Sequence, residues 1–281
     1  MTNALFGFPR ATAAYTLSAG QWQATYPLIN LQSLPLSRVA RSLNTLTTST
    51  VLLASAAQPQ LAGMVGLVRH NLSSVAQIRL SCWAEAARTN VTFAGPWENV
   101  WPADYPAMTA AEQANAVWTW YRRFSPPGSA GVTVGALEIE INDPGNVAGF
   151  VQAGFLEIAQ VFETRFNFEW GFQYGFAWRS QVTEAIGGAE YVDRRAKPRI
   201  VRGTFPNTLR AEAMTKHFEM QRQLDMSVPL IFVPLPDETS QYPRTVLFAR
   251  QMDPGPMVMK TRASGFGLLD SVPLALREII G

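Results

Sequence analysis

Residues that could act as nucleophiles, bases or metal ligands are few in this chain. It contains 281 residues, with two histidines, His70 and His217, and a single cysteine, Cys82. No spacing of the CxxC or HExxH kind connects these residues, so we predict neither a bound metal nor a cofactor. The sequence also lacks a G-x-S-x-G elbow, a P-loop and a dinucleotide-binding glycine pattern. We therefore predict that the protein is not an enzyme, that Cys82 is a buried structural thiol and that His217 borders a helix core.

Acidic side chains offer two weaker possibilities. Glu138 and Glu140 alternate with apolar residues along one predicted strand, which places both carboxylates on one face. They could form an acid/base pair, although two solvated carboxylates on a strand are the commoner arrangement. Asp143 follows in the turn sequence NDPGN, which is typical of an Asx-rich turn and could also contribute to a calcium site.

A polar loop between two predicted strands holds the candidate ligand-binding residues. MVGLV (64–68) is continuously apolar and predicts a buried strand, whereas 77–83 alternates strictly and predicts a half-buried strand. Between them, Arg69, His70 and Asn71 could donate hydrogen bonds to sugar hydroxyls. Trp97 and Trp101 lie in the aperiodic segment 84–107 and could stack on a sugar ring, and a hydrolytic centre in that segment is a further hypothesis.

The second half carries candidate interface residues. Aromatic residues occupy every second position from 166 to 178, which predicts a strand with one aromatic face that serves either as a sandwich core or as a subunit interface. A basic segment at 187–205 follows a Gly-Gly turn and predicts either a solvated face or salt bridges to an acidic neighbouring subunit. The candidate interface residues in these two segments are Trp170, Phe172, Tyr174, Arg194, Arg195, Lys197 and Arg199.

Composition constrains the partners. Hydrophobic residues make up 47% of the chain and charged residues only 16%, with a net charge of +2. A chain so poor in charge is expected to cover apolar surface against partners. The even balance of charge argues against nucleic acid, and we expect neither a signal peptide nor membrane insertion because no long apolar run occurs.

The remaining elements of the second half are predicted in the order strand, helix, strand, strand, strand. We predict one main helix at about 207–224, beginning after Asn207, then three strands and an apolar tail, FGLLDSVPLALREIIG, that packs on a neighbour. In the first half, a capping box at Thr109 predicts a helix that ends near Tyr121.

Several of these segments carry a family resemblance. YPLINLQSLPLSRVARS, MVGLVRHNLSSVAQIRLSCW and LEIEINDPGNVAGFVQAGFLEIAQVF resemble the opening loop, the strand–loop–strand and the closing hairpin of galactose-binding-like (discoidin-type) jelly rolls found in tailed-phage proteins. GGAEYVDRRAKPRIVRGTF, the helix and PLIFVPLP are similar to the C-terminal part of the same phage proteins and to the tail-tube-like fold of distal tail proteins.

The resemblance implies a mainly β protein with two domains. Residues 1–165 would form the galactose-binding-like jelly-roll β-sandwich, and residues 166–281 a tail-tube-like β domain with one helix. The implied function is a structural protein of the virion, in the tail tip or baseplate of a long non-contractile tail, assembled in the host cytoplasm. Its partners would be copies of itself in a ring and other tail proteins, such as the tail tube, hub, fibre or tape-measure proteins. The alternative function is a carbohydrate-binding module that recognises a host glycan.

Overall fold

The structure, a computed structural model, describes residues 2–102, 118–224, 226–260 and 267–280. The chain forms two compact units. The first contains Met1–Thr164 and Leu230–Phe248, and the second contains Arg165–Pro229 and Ala249–Ile280. Both are built mainly of antiparallel strands, as the sequence predicts.

Twelve strands precede residue 165 and eight follow it among the described residues. The first twelve are β1 (Leu5–Arg10), β2 (Tyr15–Ser18), β3 (Ala40–Arg41), β4 (Leu52–Ala62), β5 (Met64–Val68), β6 (Gln77–Trp83), β7 (Val91–Ala94), β8 (Glu98–Asn99), β9 (Thr119–Arg123), β10 (Val132–Asn142), β11 (Gln152–Ala153) and β12 (Phe155–Glu163). The others are β13 (Gln173–Phe176), β14 (Gln181–Glu184), β15 (Glu190–Asp193), β16 (Arg199–Leu209), β17 (Pro229–Val233), β18 (Leu247–Gln251), β19 (Val258–Met259) and β20 (Leu269–Glu278).

Helices are short. The α-helical segments are α1 (Arg210–Glu212), α2 (Glu219–Leu224) and α3 (Tyr242–Thr245), a π-helical segment (Ala213–Phe218) joins α1 to α2, and 3₁₀ turns cover Thr12–Ala14, Leu28–Gln32 and Thr239–Gln241. The main helix therefore begins three residues after Asn207, because β16 continues through Leu209.

The first unit is a β-sandwich. One sheet has the order β2–β4–β10–β6–β7, with β8 also paired to β6, and the other includes β17–β1–β12–β5–β9. Along β10, Leu137, Ile139 and Ile141 are buried between the sheets, while Glu138 and Glu140 face outward. This confirms the period-two prediction, since successive side chains of a strand point to opposite faces.

The predicted strands at 64–68 and 77–83 are present, but they belong to opposite sheets. All five residues of β5 are buried, and β6 alternates between half-buried and buried positions, as predicted. Because β5 pairs with β12 and β9, and β6 pairs with β10, β7 and β8, the loop between them crosses from one layer to the other. The prediction that residues 137–162 form a closing hairpin is wrong, because β10 and β12 lie in different sheets.

The second unit contains a sheet of order β13–β16–β20–β18, with β19 also paired to β20. One face is buried through Val201, Phe205 and Leu276, and the Phe205 ring lies 5.4 Å from the ring of His217 on the π-helical segment. His217 is buried, and desolvation lowers its pKa to about 4. Strands β14 and β15 form a separate two-stranded hairpin.

Three expectations about elements need correction. The tail packs within its own unit, because β20 pairs with β16, β18 and β19. The prediction of one regular aromatic strand over 166–178 is wrong. Only Gln173–Phe176 is a strand, and a turn precedes it at Gly171, where φ is +98°. The helix predicted from Thr109 falls largely on residues outside the described ranges, and its last residues, from Thr119, belong instead to β9.

Candidate functional site

The loop after β5 is held in place by its own histidine. His70 is 6% exposed, and its Nδ1 accepts a hydrogen bond from the backbone N–H of Leu72 at 3.4 Å. The His70 ring lies edge-on to Trp101, with 5.5 Å between centroids, and Trp101 Nε1 donates to the Leu72 carbonyl at 3.2 Å. Burial lowers the pKa of His70 to about 3, so this imidazole is neutral at physiological pH.

Asn71 connects the loop to the segment before β12. Its side-chain amide donates to the Phe150 carbonyl at 3.0 Å, and its Oδ1 accepts from the Gln152 N–H at 2.7 Å. The neighbouring Arg69 has a left-handed backbone, with φ of +56°, and its buried Nη1 has no hydrogen-bond partner among the described residues. The polar atoms of Asn71 are thus used within the fold, and Trp101 is only 8% exposed.

Asp143 organises the turn that faces this loop. Its carboxylate accepts hydrogen bonds from the Ser73 N–H at 3.0 Å, from Asn146 Nδ2 at 2.9 Å and from the Ser73 hydroxyl. Asp143 is fully buried. Among the described residues no cluster of three or more His, Cys, Asp or Glu could hold a metal ion. The Asx-turn hydrogen bond of this segment belongs to Asn146, whose Oδ1 accepts from the Ala148 N–H at 3.0 Å.

The outer face of the β6–β10 pair brings together charged and aromatic side chains. Arg79 Nη2 donates to Glu140 at 2.7 Å, and the Arg79 guanidinium lies 4.9 Å from the ring centroid of Trp97. Arg88 makes the corresponding contacts, 2.6 Å to Glu138 and 5.5 Å to the ring of Trp83. Each carboxylate is therefore paired with its own arginine, which does not suit a general acid/base pair. Trp97 lies on this face, whereas Trp101 is inside.

In the second unit, the predicted interface residues are exposed to different degrees. Trp170 is 102% exposed and Tyr174 47%, whereas Phe172 is half-buried and stacks on Phe168 at 3.8 Å. Phe176 and Trp178, which the sequence analysis placed on the aromatic face, are also exposed. Sequence reasoning did not single out the exposed apolar residues of the hairpin, which are Val182, Ile186, Tyr191 and Val192. Two short β-rich runs around Gly187-Gly188 are a hairpin signal that could have identified them.

The basic residues have separate roles. Arg199 donates to Glu278 through Nε at 2.9 Å and Nη2 at 2.6 Å, in the same unit. Arg195 pairs with Asp193 at 2.7 Å. Lys197 places its ammonium 4.0 Å from the Trp178 ring, and Arg194 is exposed. Arg199 thus braces its own unit, while the other three line the base of the hairpin.

Comparisons with known proteins give only distant similarities. No protein-family model matches the sequence, and no curated protein matches it. The family 32 carbohydrate-binding module of C. perfringens NanJ, solved in complex with galactose, is 12% identical and aligns over 57% of this chain and 99% of its own, with a TM-score of 0.36. The CBM32 of AlyQ, in complex with 4,5-unsaturated mannuronic acid, is 14% identical and aligns over 51% and 92%, with a TM-score of 0.33.

Two glycoside hydrolases are matched over a small part of their length. The structure SpGH29 is 9% identical, with a TM-score of 0.34, and the family 89 enzyme from Clostridium perfringens is 10% identical, with a TM-score of 0.37. The matches cover 54% and 53% of this chain but only 28% and 14% of those chains. With TM-scores below 0.5, none of these similarities decides function. No helix among the described residues has the length and hydropathy to cross a membrane.

Proposed function

We propose that this chain is a structural assembly protein whose second unit binds neighbouring subunits. The observation that carries the proposal is the β14–β15 hairpin, in which every strand residue is exposed. A two-stranded hairpin is marginally stable in water, and both of its edges offer unpaired backbone groups. Its apolar side chains are also exposed: Ile186 at 111%, Tyr191 at 66% and Val182 at 60%. A neighbouring subunit would bury them.

The exposed aromatic side chains next to the hairpin fit the same role. Trp178 is 77% exposed and Phe176 55%. Large apolar surface of this kind marks interaction sites, and aromatic residues are enriched at protein interfaces. The sequence resemblance to tail proteins supplies a location for the assembly: a ring in the tail tip or baseplate of a virion, in contact with other tail proteins.

Analytical ultracentrifugation across a wide concentration range tests the proposal. We expect the wild-type protein to assemble, and a variant in which Ser-Gly replaces residues 182–192 to remain monomeric with an unchanged far-UV spectrum. Ile186→Ser should weaken assembly, whereas the matched control Val147→Ser, at a 103% exposed position in the first unit, should not. A wild-type protein that stays monomeric throughout and is missing from purified virions by mass spectrometry would overturn the proposal.

A second candidate function, carbohydrate binding, is favoured by the outer face of the β6–β10 pair. Sugars bind where an aromatic ring lies beside fixed hydrogen-bonding groups, and Trp97, Arg79 and Glu140 provide this combination. Arg69, His70 and Asn71 are less suited to the role, because His70 and Asn71 hydrogen-bond within the fold.

A glycan array followed by calorimetry tests this second function. We expect Trp97→Ala to lose any glycan binding that the wild type shows, and the control Trp170→Ala, in the second unit, to retain it. Wild-type protein that binds no glycan, or Trp97→Ala protein that binds normally, would rule out the carbohydrate function.

A further inference from the structure

Two arginines of the second unit lie side by side without a counter-charge. Arg250 on β18 and Arg277 on β20 are direct cross-strand partners, so their side chains project from the same face about 5 Å apart at Cβ. Neither has an ion-pair partner among the described residues. Like charges directly opposite each other destabilise a sheet. A nearby anion would reverse that effect.

Both arginines line a small cleft of the second unit. The cleft has a volume of about 120 Å³ and is lined by Arg179, Pro198, Arg250, Arg277, Glu278, Ile279 and Ile280. The carboxylate of Glu278 is already held by Arg199. Three guanidinium groups therefore remain at this cleft for an incoming anion, and arginine is the side chain best suited to bind carboxylates in a bidentate manner.

The hairpin carries the opposite charge in the same arrangement. Glu184 on β14 and Glu190 on β15 are also direct cross-strand partners, and both are exposed. No described residue forms an ion pair with either carboxylate. Because cross-strand geometry sets both spacings, the Cβ atoms of Glu184 and Glu190 are about as far apart as those of Arg250 and Arg277.

Within one copy, no ion pair among the described residues joins this acidic pair to the cleft. Arg179 and Pro198 line the cleft and also flank the hairpin, whose base is closed by the hydrogen bond from Ala177 N–H to the Pro198 carbonyl. Glu184 lies five residues beyond Arg179, roughly 16 Å along an extended strand. The acidic pair lies towards the tip of the hairpin and the basic cleft near its base, so a contact between them would join two copies of the chain.

We propose that the Glu184–Glu190 pair of one copy binds the Arg250–Arg277 cleft of the next copy. The contact joins two different surfaces, and is therefore a head-to-tail interface that repeats into a ring or a filament. This inference rests on the proposed assembly function and adds the partner, a second copy of this chain, and the residues that select it. Arg179 contributes a third positive charge to the cleft.

Charge reversal provides the test, with Kd for self-association measured by ultracentrifugation. We expect Glu184→Arg/Glu190→Arg and Arg250→Glu/Arg277→Glu each to weaken self-association at least roughly tenfold. An equimolar mixture of the two variants, and a single chain carrying all four changes, should recover the wild-type Kd within a few-fold, because each then presents opposite charges at the contact. The control Arg38→Glu/Glu238→Arg, which changes exposed charges of the first unit, should have no effect.

The outcomes separate this inference from the function on which it rests. Assembly that is lost when the hairpin is shortened but unaffected by charge reversal would overturn the inference and leave the assembly function standing. Loss in both reversed variants without recovery in the mixture would also overturn it, since it would show no direct contact between the pairs. A wild-type protein that never assembles would overturn both.

Discussion

Glu157 and Arg10 form a nearly enclosed ion pair on neighbouring strands of the β-sandwich. Arg10 Nε lies 2.8 and 3.0 Å from the two carboxylate oxygens, and the Glu157 side chain is only 1% exposed. Burial raises the pKa of Glu157 to about 7, and Arg10 opposes the rise only in part. The stability of the sandwich is therefore expected to vary with pH through this one buried carboxyl group.

This pair predicts a pH-dependent effect of substitution. The pKa of Glu157 in the folded state exceeds the unfolded value of 4.5, so its contribution to stability is lost as pH rises from about 4.5 to 7. Arg10→Ala removes the compensating charge and should cost about 3 kcal/mol of unfolding free energy at pH 8, but less at pH 5, where the carboxyl can be protonated. Urea unfolding at both pH values measures the difference. Equal losses of unfolding free energy at pH 5 and pH 8 would contradict the role of Arg10 as the charge that compensates Glu157. Glu157→Gln should abolish the difference between the two pH values.

From His70 we expect the opposite change of stability with pH, namely a fall in the free energy of unfolding as the solution becomes acidic. Its pKa in the folded state is about 3, below the ordinary 6.5, because the buried imidazole resists protonation. The unfolded chain therefore gains protons first, and stability is lost as pH falls from 6.5 towards 3. His70→Asn keeps an acceptor for the Leu72 N–H without a titrating ring, and should reduce the loss between pH 7 and pH 5 by about 1–2 kcal/mol. Thermal unfolding at those pH values checks this, and an unchanged slope in the variant would exclude His70 as its source.

Asp143 predicts a structural effect that is independent of calcium. Its carboxylate accepts hydrogen bonds from Ser73 and Asn146 with no exposure to solvent. Asp143→Ala leaves these half-buried donors without an acceptor and should cost about 2–4 kcal/mol, whereas Ser73→Ala should cost about 1 kcal/mol. We expect the melting temperature of the wild type to be the same in calcium and in chelator. A clear rise with calcium would show that the turn is a cation site.

We expect the thiol of Cys82 to be unreactive in the native protein. It is fully buried on β6, and burial raises the pKa of its thiol well above the ordinary value. We expect no modification of the native protein by Ellman's reagent and one equivalent after denaturation in guanidinium chloride. Rapid modification of the native protein would mean that the β6 face is open to solvent.

Local patterns were sufficient to predict those strands whose apolar residues alternate cleanly. The alternation of Leu137, Glu138, Ile139 and Glu140 predicted a half-buried strand, and the structure has it. The aromatic segment before β13 failed because the same alternation continues through Gly171, whose positive φ turns the chain. The apolar tail was misplaced because a run such as LDSVPLALRE gives no indication of which distant strand it pairs with, and β20 pairs with β16 some 70 residues earlier in the chain.

The candidate site was less predictable. Residue type identified His70, Asn71 and Trp101 as candidate ligand-binding residues in two separate segments, but could not show that their polar atoms are used within the fold. That outcome depends on Leu72, Phe150 and Gln152, whose backbone groups form the hydrogen bonds.

By itself, the sequence determined that the protein is mainly β, poor in charge and without a metal-ligand or nucleophile motif, because these properties reside in composition and in the period-two pattern. Only the tertiary structure decided which strands share a sheet and which charges meet. Arg250 lies opposite Arg277 through the register between β18 and β20, which no local pattern of either strand indicates. Cross-strand register depends on the packing of whole layers, and no window along the chain contains that information.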